Sequence, residues 1–363
     1  MKKENNRIII WSTDVIRLME GKPIGGIAVQ MFFWAQVFVE NGWNVLSFAE
    51  NAKETVEREG IEFRSLRNVK HWNFVLEWWY ALKYIVLFRP EIIIYRGASR
   101  NLYPLALITR LMGVKLVFFS ASDSNFEPNK KTVGSKMGLK LYHRSIHYIK
   151  YFVTQNAYQH DTLLQHFGKE SFIQFNIWGH AMRNDEGTPP ASDAVWVANF
   201  HKLKRAEWVT TIARQMPKSH FVLAGGPTSE NRYYEEMEEE SGKIDNVSFL
   251  GPKSFAYVNE LVGKSRVLLC TSTFEGFPNT FLQAWSNGLP VISTVDPSGV
   301  IAEHHLGDVV KTEEELKEAL QRMLNDAAYY QALQKSVEQF FLSHHAAQRG
   351  YENVIKYINT KRS

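Results

Sequence analysis

"RVLLCTSTFEGFPNTFLQAWSNGLPVIST", residues 266–294, reads as a strand, a loop, a short helix, a tight turn and a second strand. Pro278 falls where the helix opens, a position at which a missing N–H costs nothing, and Gly288 turns the chain straight into "LPVIST". Two apolar runs joined through a helix make a parallel βαβ unit. The loop that leaves the first strand carries Glu275 and Gly276, so an acidic side chain and a backbone without Cβ sit at the carboxyl end of a strand.

The same alternation runs outward in both directions. Apolar runs at 7–11, 44–49, 91–96, 115–121 and 151–155 are separated by helical segments such as "GGIAVQMFFWAQVFVENG". A second series follows at 193–200, 220–226, 247–251, 266–272 and 289–294. Between the two lies "NIWGHAMRNDEGTPPASD", polar, rich in Gly and Pro and without periodicity, which reads as a linker. The expectation is an α/β protein of two doubly wound parallel sheets facing across a cleft. Its N-terminal domain spans 1–185, its C-terminal domain 190–345, and a terminal helix at 346–363 packs back on the first. From Thr312 onward, "TEEELKEALQRMLNDAAYYQALQKSVEQFF" has a cap, acidic first turn and helical spacing.

Length and composition agree with this. A chain of 363 residues suggests roughly two domains, and 45% hydrophobic with 22% charged residues is ordinary for a globular protein. The single cysteine, Cys270, excludes an internal disulfide and a cysteine metal site, and a reducing cytoplasm fits. The apolar run near the N-terminus is too short for a signal peptide, and the most lipid-like stretch, 71–95, is broken by Glu77, Lys83, Arg89 and Pro90.

The net charge of +4 hides an asymmetry: residues 1–190 carry about +7 and the remainder about −3. No acid occurs between Glu127 and Asp161, where Lys130, Lys131, Lys136, Lys140, Arg144 and Lys150 accumulate in a helical pattern. With Trp72, Trp78, Trp79 and Tyr80 in the same domain, this suits peripheral contact with an anionic membrane, against the simpler reading of a solvated face. The pair His143 and His147 lacks the Glu of H-E-x-x-H, and no metal is assigned.

Ligands of open α/β sheets bind outside the carboxyl ends of the strands, where helix N-termini favour phosphate. A carboxylate there accepts charge-assisted hydrogen bonds from sugar hydroxyls. The segments "GGIAVQ", "FVTQNAYQHDTLLQHFG", "VWVANFHKLKRAEWVTTIARQMP", "FVLAGG" and "EGFPNTFLQAWSNGLPVIST" together resemble the GT-B glycosyltransferases, specifically the retaining enzymes of glycosyltransferase family four. The resemblance covers nearly the whole chain, and its most specific part is the family's E-x7-E pattern with a G-F-P-N core. Here the first Glu is Glu275, while the second position is Gln283, which keeps an acceptor oxygen for the donor ribose. Gly276, Phe277, Pro278 and Asn279 are carried over with that core. The family's R-x4-K pair on the donor diphosphate falls on Asn199 and Lys204, with Lys202 or Arg205 able to supply the missing charge. Gly25 and Gly26 correspond to the family's glycine loop, and Gly225 of "FVLAGG" also belongs to the donor side.

What the resemblance implies is a nucleotide-sugar donor, UDP- or GDP-linked, used as a substrate without a cofactor or metal. It further implies a glycan or lipid-linked acceptor, no nucleic acid, and a cytoplasmic or membrane-peripheral place in cell-surface polysaccharide biosynthesis. The family's histidine after the fourth N-terminal strand is missing from "KLVFFSASDSN", which leaves Asp123 as the polar candidate. Arg96, closing "EIIIYRG", suits an anionic acceptor or an internal acid. Retention needs no enzyme nucleophile if the leaving diphosphate helps deprotonate the acceptor. Two rivals stand beside this reading. A nicotinamide dehydrogenase would use the glycines with Glu50, but G-x-G-x-x-G is absent, as is a P-loop. A non-catalytic nucleotide-sugar or carbohydrate binding protein is compatible with Gln283 and Asn199.

Overall fold

The computed structural model describes residues 6–22, 25–50, 54–66, 74–128, 133–179, 190–228, 231–275 and 277–361. The chain forms two units, one of Met1–Ile177 with Ala347–Ser363 and one of Trp178–Ala346.

Unit 1 is built on eight strands: β1 (Arg7–Ile10), β2 (Asn44–Glu50), β3 (Val56–Arg58), β4 (Ile61–Leu66), β5 (Ile92–Arg96), β6 (Lys115–Phe119), β7 (Tyr151–Thr154) and β8 (Phe172–Ile173). Their order is β3-β4-β2-β1-β5-β6-β7-β8. All neighbours are parallel except β3, which pairs antiparallel with β4. The parallel sheet expected from the sequence is present, with the antiparallel strand β3 added at its edge, and β3, β4 and β8 were not legible in the sequence. The reason is local: "IEFRSL" alternates with charge on its outer side, unlike the continuous apolar runs of the central strands.

Helices cover both faces. Gly26–Glu40 buries ten of its residues, as a helix that is apolar all round must, and lies over the face to which Phe119 contributes: its Trp34 packs on Phe119 with ring centroids 4.9 Å apart. Phe74–Phe88, Leu102–Met112 and Lys136–Tyr148 contribute to one core with Phe118, Phe126 and Phe152. The last helix, Ala347–Thr360, returns to unit 1. Its Tyr351 accepts from Trp43 Nε1 (2.9 Å), and Tyr357 stacks on Phe172 at 5.4 Å. Gly350 permits that return, since a Cβ there would stand 2.4 Å from Ile177 Cγ2.

Unit 2 holds β9 (Ser192–Val197), β10 (Phe221–Ala224), β11 (Val247–Gly251), β12 (Ser265–Cys270), β13 (Val291–Ser293) and β14 (Gly307–Val309). They form one parallel sheet in the order β11-β10-β9-β12-β13-β14. The five strands read from the sequence are all present, and β14 is added at the edge. The chain enters and leaves this unit side by side, with Trp178 N donating to His345 O at 2.8 Å. No helix among the described residues is long and apolar enough to cross a membrane.

Candidate functional site

In unit 2 the strand order reverses between β9 and β12, so the connections after these strands leave in opposite directions. The gap at such a switch point is where an open α/β sheet accepts a ligand. The loop after β9 carries Lys204 and Arg205, and the loop after β12 carries Glu275.

Backbone and hydroxyl groups stitch the two loops together. Thr271 Oγ1 accepts from the buried Trp196 indole (3.0 Å) and donates to Lys204 O (2.6 Å), while Thr273 N donates to Leu203 O (2.8 Å). Arg205 adopts left-handed backbone (φ 47°), lies 4.0 Å over the Trp208 ring and donates through Nε to Thr271 O at 2.6 Å. Arg205 thus holds the β12 loop in place, whereas Lys202, the other candidate for the missing charge, is exposed.

Between these anchors Lys204 Nζ donates to Glu275 Oε1, and Ser272 Oγ donates to the same oxygen at 2.7 Å. The pair is three-quarters shielded, with side-chain exposures of 27% and 19%. Glu275 Oε2 takes no hydrogen bond among the described residues. A cation and a carboxylate that were read separately in the sequence therefore form one polar centre, facing the carboxyl end of the sheet. Ser272 escaped the sequence reading, although it stands three residues before Glu275. Cys270 lies just beneath, and burial pushes its thiol up, so it is inert packing.

The remaining donor-side residues fall into two groups. Phe277 packs against Phe281, Trp285 and His345, Pro278 is the extended cap residue, and Asn279 begins the helix Asn279–Trp285. Gly276 lies outside the described residues. Gln283 is buried at 4% exposure, and its Nε2 has no hydrogen-bond partner among the described residues. Gly225 has a packing cause: a Cβ there would stand 1.7 Å from Ala198 O.

In unit 1 the strand order reverses between β1 and β5. Gly25 is the extended cap of the helix Gly26–Glu40 (φ −82°), and a Cβ on it would meet nothing within 4 Å. Neither backbone conformation nor packing demands glycine at 25, which leaves open space at that helix end. Asp123, exposed after β6, accepts from Gln159 Nε2 (2.8 Å) and Asn156 Nδ2 (3.1 Å). Those two amides come from the helix start in "TQNAYQH", and they fix the carboxylate. His143 and His147 pack against Phe167, and no group of three or more His, Cys, Asp or Glu able to hold a metal occurs among the described residues.

Comparison with known proteins bears on the fold. No curated protein matches the chain by sequence. Sucrose-phosphate synthase from Thermosynechococcus elongatus is similar in structure with a TM-score of 0.68 at 15% identity, covering 98% of each chain. The UDP-forming α,α-trehalose-phosphate synthase from Burkholderia xenovorans also superimposes with a TM-score of 0.68, at 14% identity over 98% of this chain and 100% of that one. UDP-GlcNAc 2-epimerase from Neisseria meningitidis, solved with UDP-GlcNAc bound, follows at 0.64 and 10% identity over 98% and 99%. The fold is GT-B, and residues 191–326, which carry the Lys204–Glu275 centre, match the model of the family described as Glycosyl transferases group 1.

Proposed function

We propose that this protein is a retaining glycosyltransferase that moves a sugar from a UDP- or GDP-linked donor to a glycan, lipid-linked or small-molecule acceptor. One observation carries the proposal: Lys204 and Glu275 meet at the switch point of unit 2. The ammonium has three N–H donors, so it can keep Glu275 while binding a diphosphate oxygen. Glu275 Oε2 then accepts from sugar hydroxyls. In the transfer, the bond from the anomeric carbon to the diphosphate oxygen breaks and a bond to the acceptor oxygen forms on the same face. The acceptor proton passes to the leaving diphosphate. Lys204 stabilises the negative charge that grows on that oxygen, which is where a fixed cation contributes most. Asp123, held by Gln159 and Asn156, orients the acceptor or the donor sugar, and Gln283 serves the nucleotide end.

Calorimetry with UDP and uridine tests the assignment. Lys204→Ala is expected to weaken UDP by about tenfold or more, the worth of a hydrogen bond between charged groups, and uridine by less than twofold. Equal losses for both ligands would move the diphosphate away from Lys204. Because an epimerase shares the fold, turnover should also be followed with and without acceptors. Conversion of the donor sugar that needs no acceptor would replace transfer by epimerisation, and tight donor binding without any turnover would leave a binding protein.

A specific surface favours a membrane-proximal acceptor. The helices Phe74–Phe88, Leu102–Met112 and Lys136–Tyr148 form one layer on the sheet of unit 1. Their outer face exposes Trp79, Leu82, Val86, Leu111 and Met137 together with Lys136, Lys140 and Arg144. The helix at 74–88, rather than being wholly buried, is apolar outward as well. Trp72, Lys130 and Lys131 lie outside the described residues, as does the side chain of Trp78. At about 1 kcal/mol per basic residue near an anionic surface, replacing Lys136, Lys140 and Arg144 by Gln should cut vesicle binding roughly a hundredfold at low salt. Co-sedimentation with vesicles containing phosphatidylserine measures this, and binding that ignores both salt and these substitutions would refute the membrane contact.

A further inference from the structure

The amino ends of the strands in unit 1 carry a cavity to which the transfer reaction gives no role. Lys150 stands immediately before β7, and Arg110 lies in the last turn of the helix Leu102–Met112, which leads to β6. Lys169 follows the helix Ala157–Phe167, and Lys361 follows the terminal helix. These four side chains line one open cavity of about 500 Å³, in which Glu170 is the only acidic lining residue among the described residues. An open α/β sheet takes its ligand at the carboxyl ends of its strands, so the cavity lies at the other end of unit 1 from that position.

Aromatic rings, not carboxylates, hold the cations in place. The Arg110 guanidinium is 5.9 Å from the ring centroid of Tyr148, which itself lines the cavity, and Lys150 Nζ is 5.8 Å from that of Tyr151. Lys361 Nζ lies 5.2 Å from the Tyr357 centroid and donates to its hydroxyl at 3.1 Å. Tyr357 packs edge-on against Tyr151 and accepts from Phe152 N at 3.3 Å, which ties Lys361 to the sheet. None of the four pairs with a carboxylate among the described residues, whereas Lys115 and Arg64 of the same unit pair with Glu91 and Glu62 at 2.6 Å. Helix ends account for little of this. Carbonyls at helix C-termini favour cations, yet of the four only Lys169 reaches one, His147 O at 3.4 Å. A cleft lined by one sign of charge concentrates the opposite ion, and this volume is in the range of small-molecule sites, larger than one phosphate fills.

We propose that this cavity is a ligand site in its own right, for an anion bearing two or more phosphate groups. It stands on unit 1 alone and is independent of the proposed transfer reaction. A soluble polyphosphate and a lipid headgroup with two phosphates offer it the same chemistry.

The test titrates inorganic pyrophosphate into the full chain with UDP at saturation, which fills a diphosphate site in unit 2. Wild type is expected to bind it, and the joint substitution Lys150→Gln and Lys169→Gln to weaken binding about tenfold or more while changing UDP affinity less than twofold. Arg110→Gln, on a different element, should weaken it at least threefold, and Lys204→Ala should leave it unchanged. Without ligand, the double variant should melt within about 2 °C of wild type. A fall of more than about 5 °C would make the lysines partners of the helix ends and overturn the proposal. Binding that Lys150, Lys169 and Arg110 do not affect would overturn it too, as would binding that Lys204→Ala abolishes. Should the protein not bind UDP, pyrophosphate binding in Lys204→Ala that still depends on Lys150 and Lys169 leaves this site standing while the donor reading falls. Vesicles containing cardiolipin, whose headgroup carries two phosphates, identify the source. Pyrophosphate binding alone that depends on these lysines indicates a soluble ligand, and vesicle binding that depends on them, alone or as well, a headgroup. Binding to neither overturns the proposal.

Discussion

Glu275→Ala is expected to lower turnover ten- to more than a hundredfold while leaving the melting temperature within a few degrees of wild type. The carboxylate sits on a loop, contacts Lys204 and Ser272, and contributes nothing to the apolar core of unit 2. Under the proposed transfer reaction, its loss removes a charge-assisted hydrogen bond to the donor sugar, worth about 1.5 to 3 kcal/mol, and leaves the loop stitched by Thr271, Thr273 and Arg205. Glu275→Gln separates charge from shape. It keeps an acceptor oxygen but no longer neutralises Lys204, so its activity should fall between the two. Initial rates under saturating donor, combined with a thermal melt, read both quantities. Activity within twofold of wild type in a folded alanine variant would remove Glu275 from the mechanism.

The largest effect on stability is expected from Gly225→Ala. The new Cβ would stand 1.7 Å from the Ala198 carbonyl oxygen and 2.7 Å from its carbon, and both are backbone atoms that cannot rotate away. Relief requires the ends of β9 and β10 to separate, which breaks the bond from Ala198 N to Ala224 O (3.2 Å) and displaces the segment leading to Lys204. Overpacking of this kind costs about 3 kcal/mol, or roughly 6 to 12 °C for a unit of this size. Gly226→Ala is the matched control. Its Cβ would meet only Pro252 Cβ at 3.5 Å and Asn199 Oδ1 at 4.0 Å, ordinary contacts, so its melting temperature should stay within about 2 °C. If both variants melt alike, the close approach at Gly225 is not what requires glycine there.

The sequence by itself determined the strands that are buried on both faces. "RIIIW", "EIIIYR" and "RVLLCTS" are continuous apolar runs because parallel central strands meet helices above and below, and that burial leaves its mark on each residue in turn. The loop position of Glu275, the cap position of Pro278 and the helix after "TEEE" were legible for the same reason, since turn and cap chemistry depends on neighbours along the chain. Edge strands such as β3 and β8 were not, because two or three residues paired on one side carry little pattern. What only the tertiary structure decided is which distant residues meet. Lys204 and Glu275 are 71 positions apart, and they touch because the strand order reverses between β9 and β12. Arg205 looked like a spare phosphate ligand until its guanidinium was found on Thr271 O, and the burial of Gln283, read from the sequence as a ribose ligand, is likewise visible only in the structure. Strand order, and with it the company each side chain keeps, is settled by how whole helices pack on the sheet, a condition written in no single stretch of the chain.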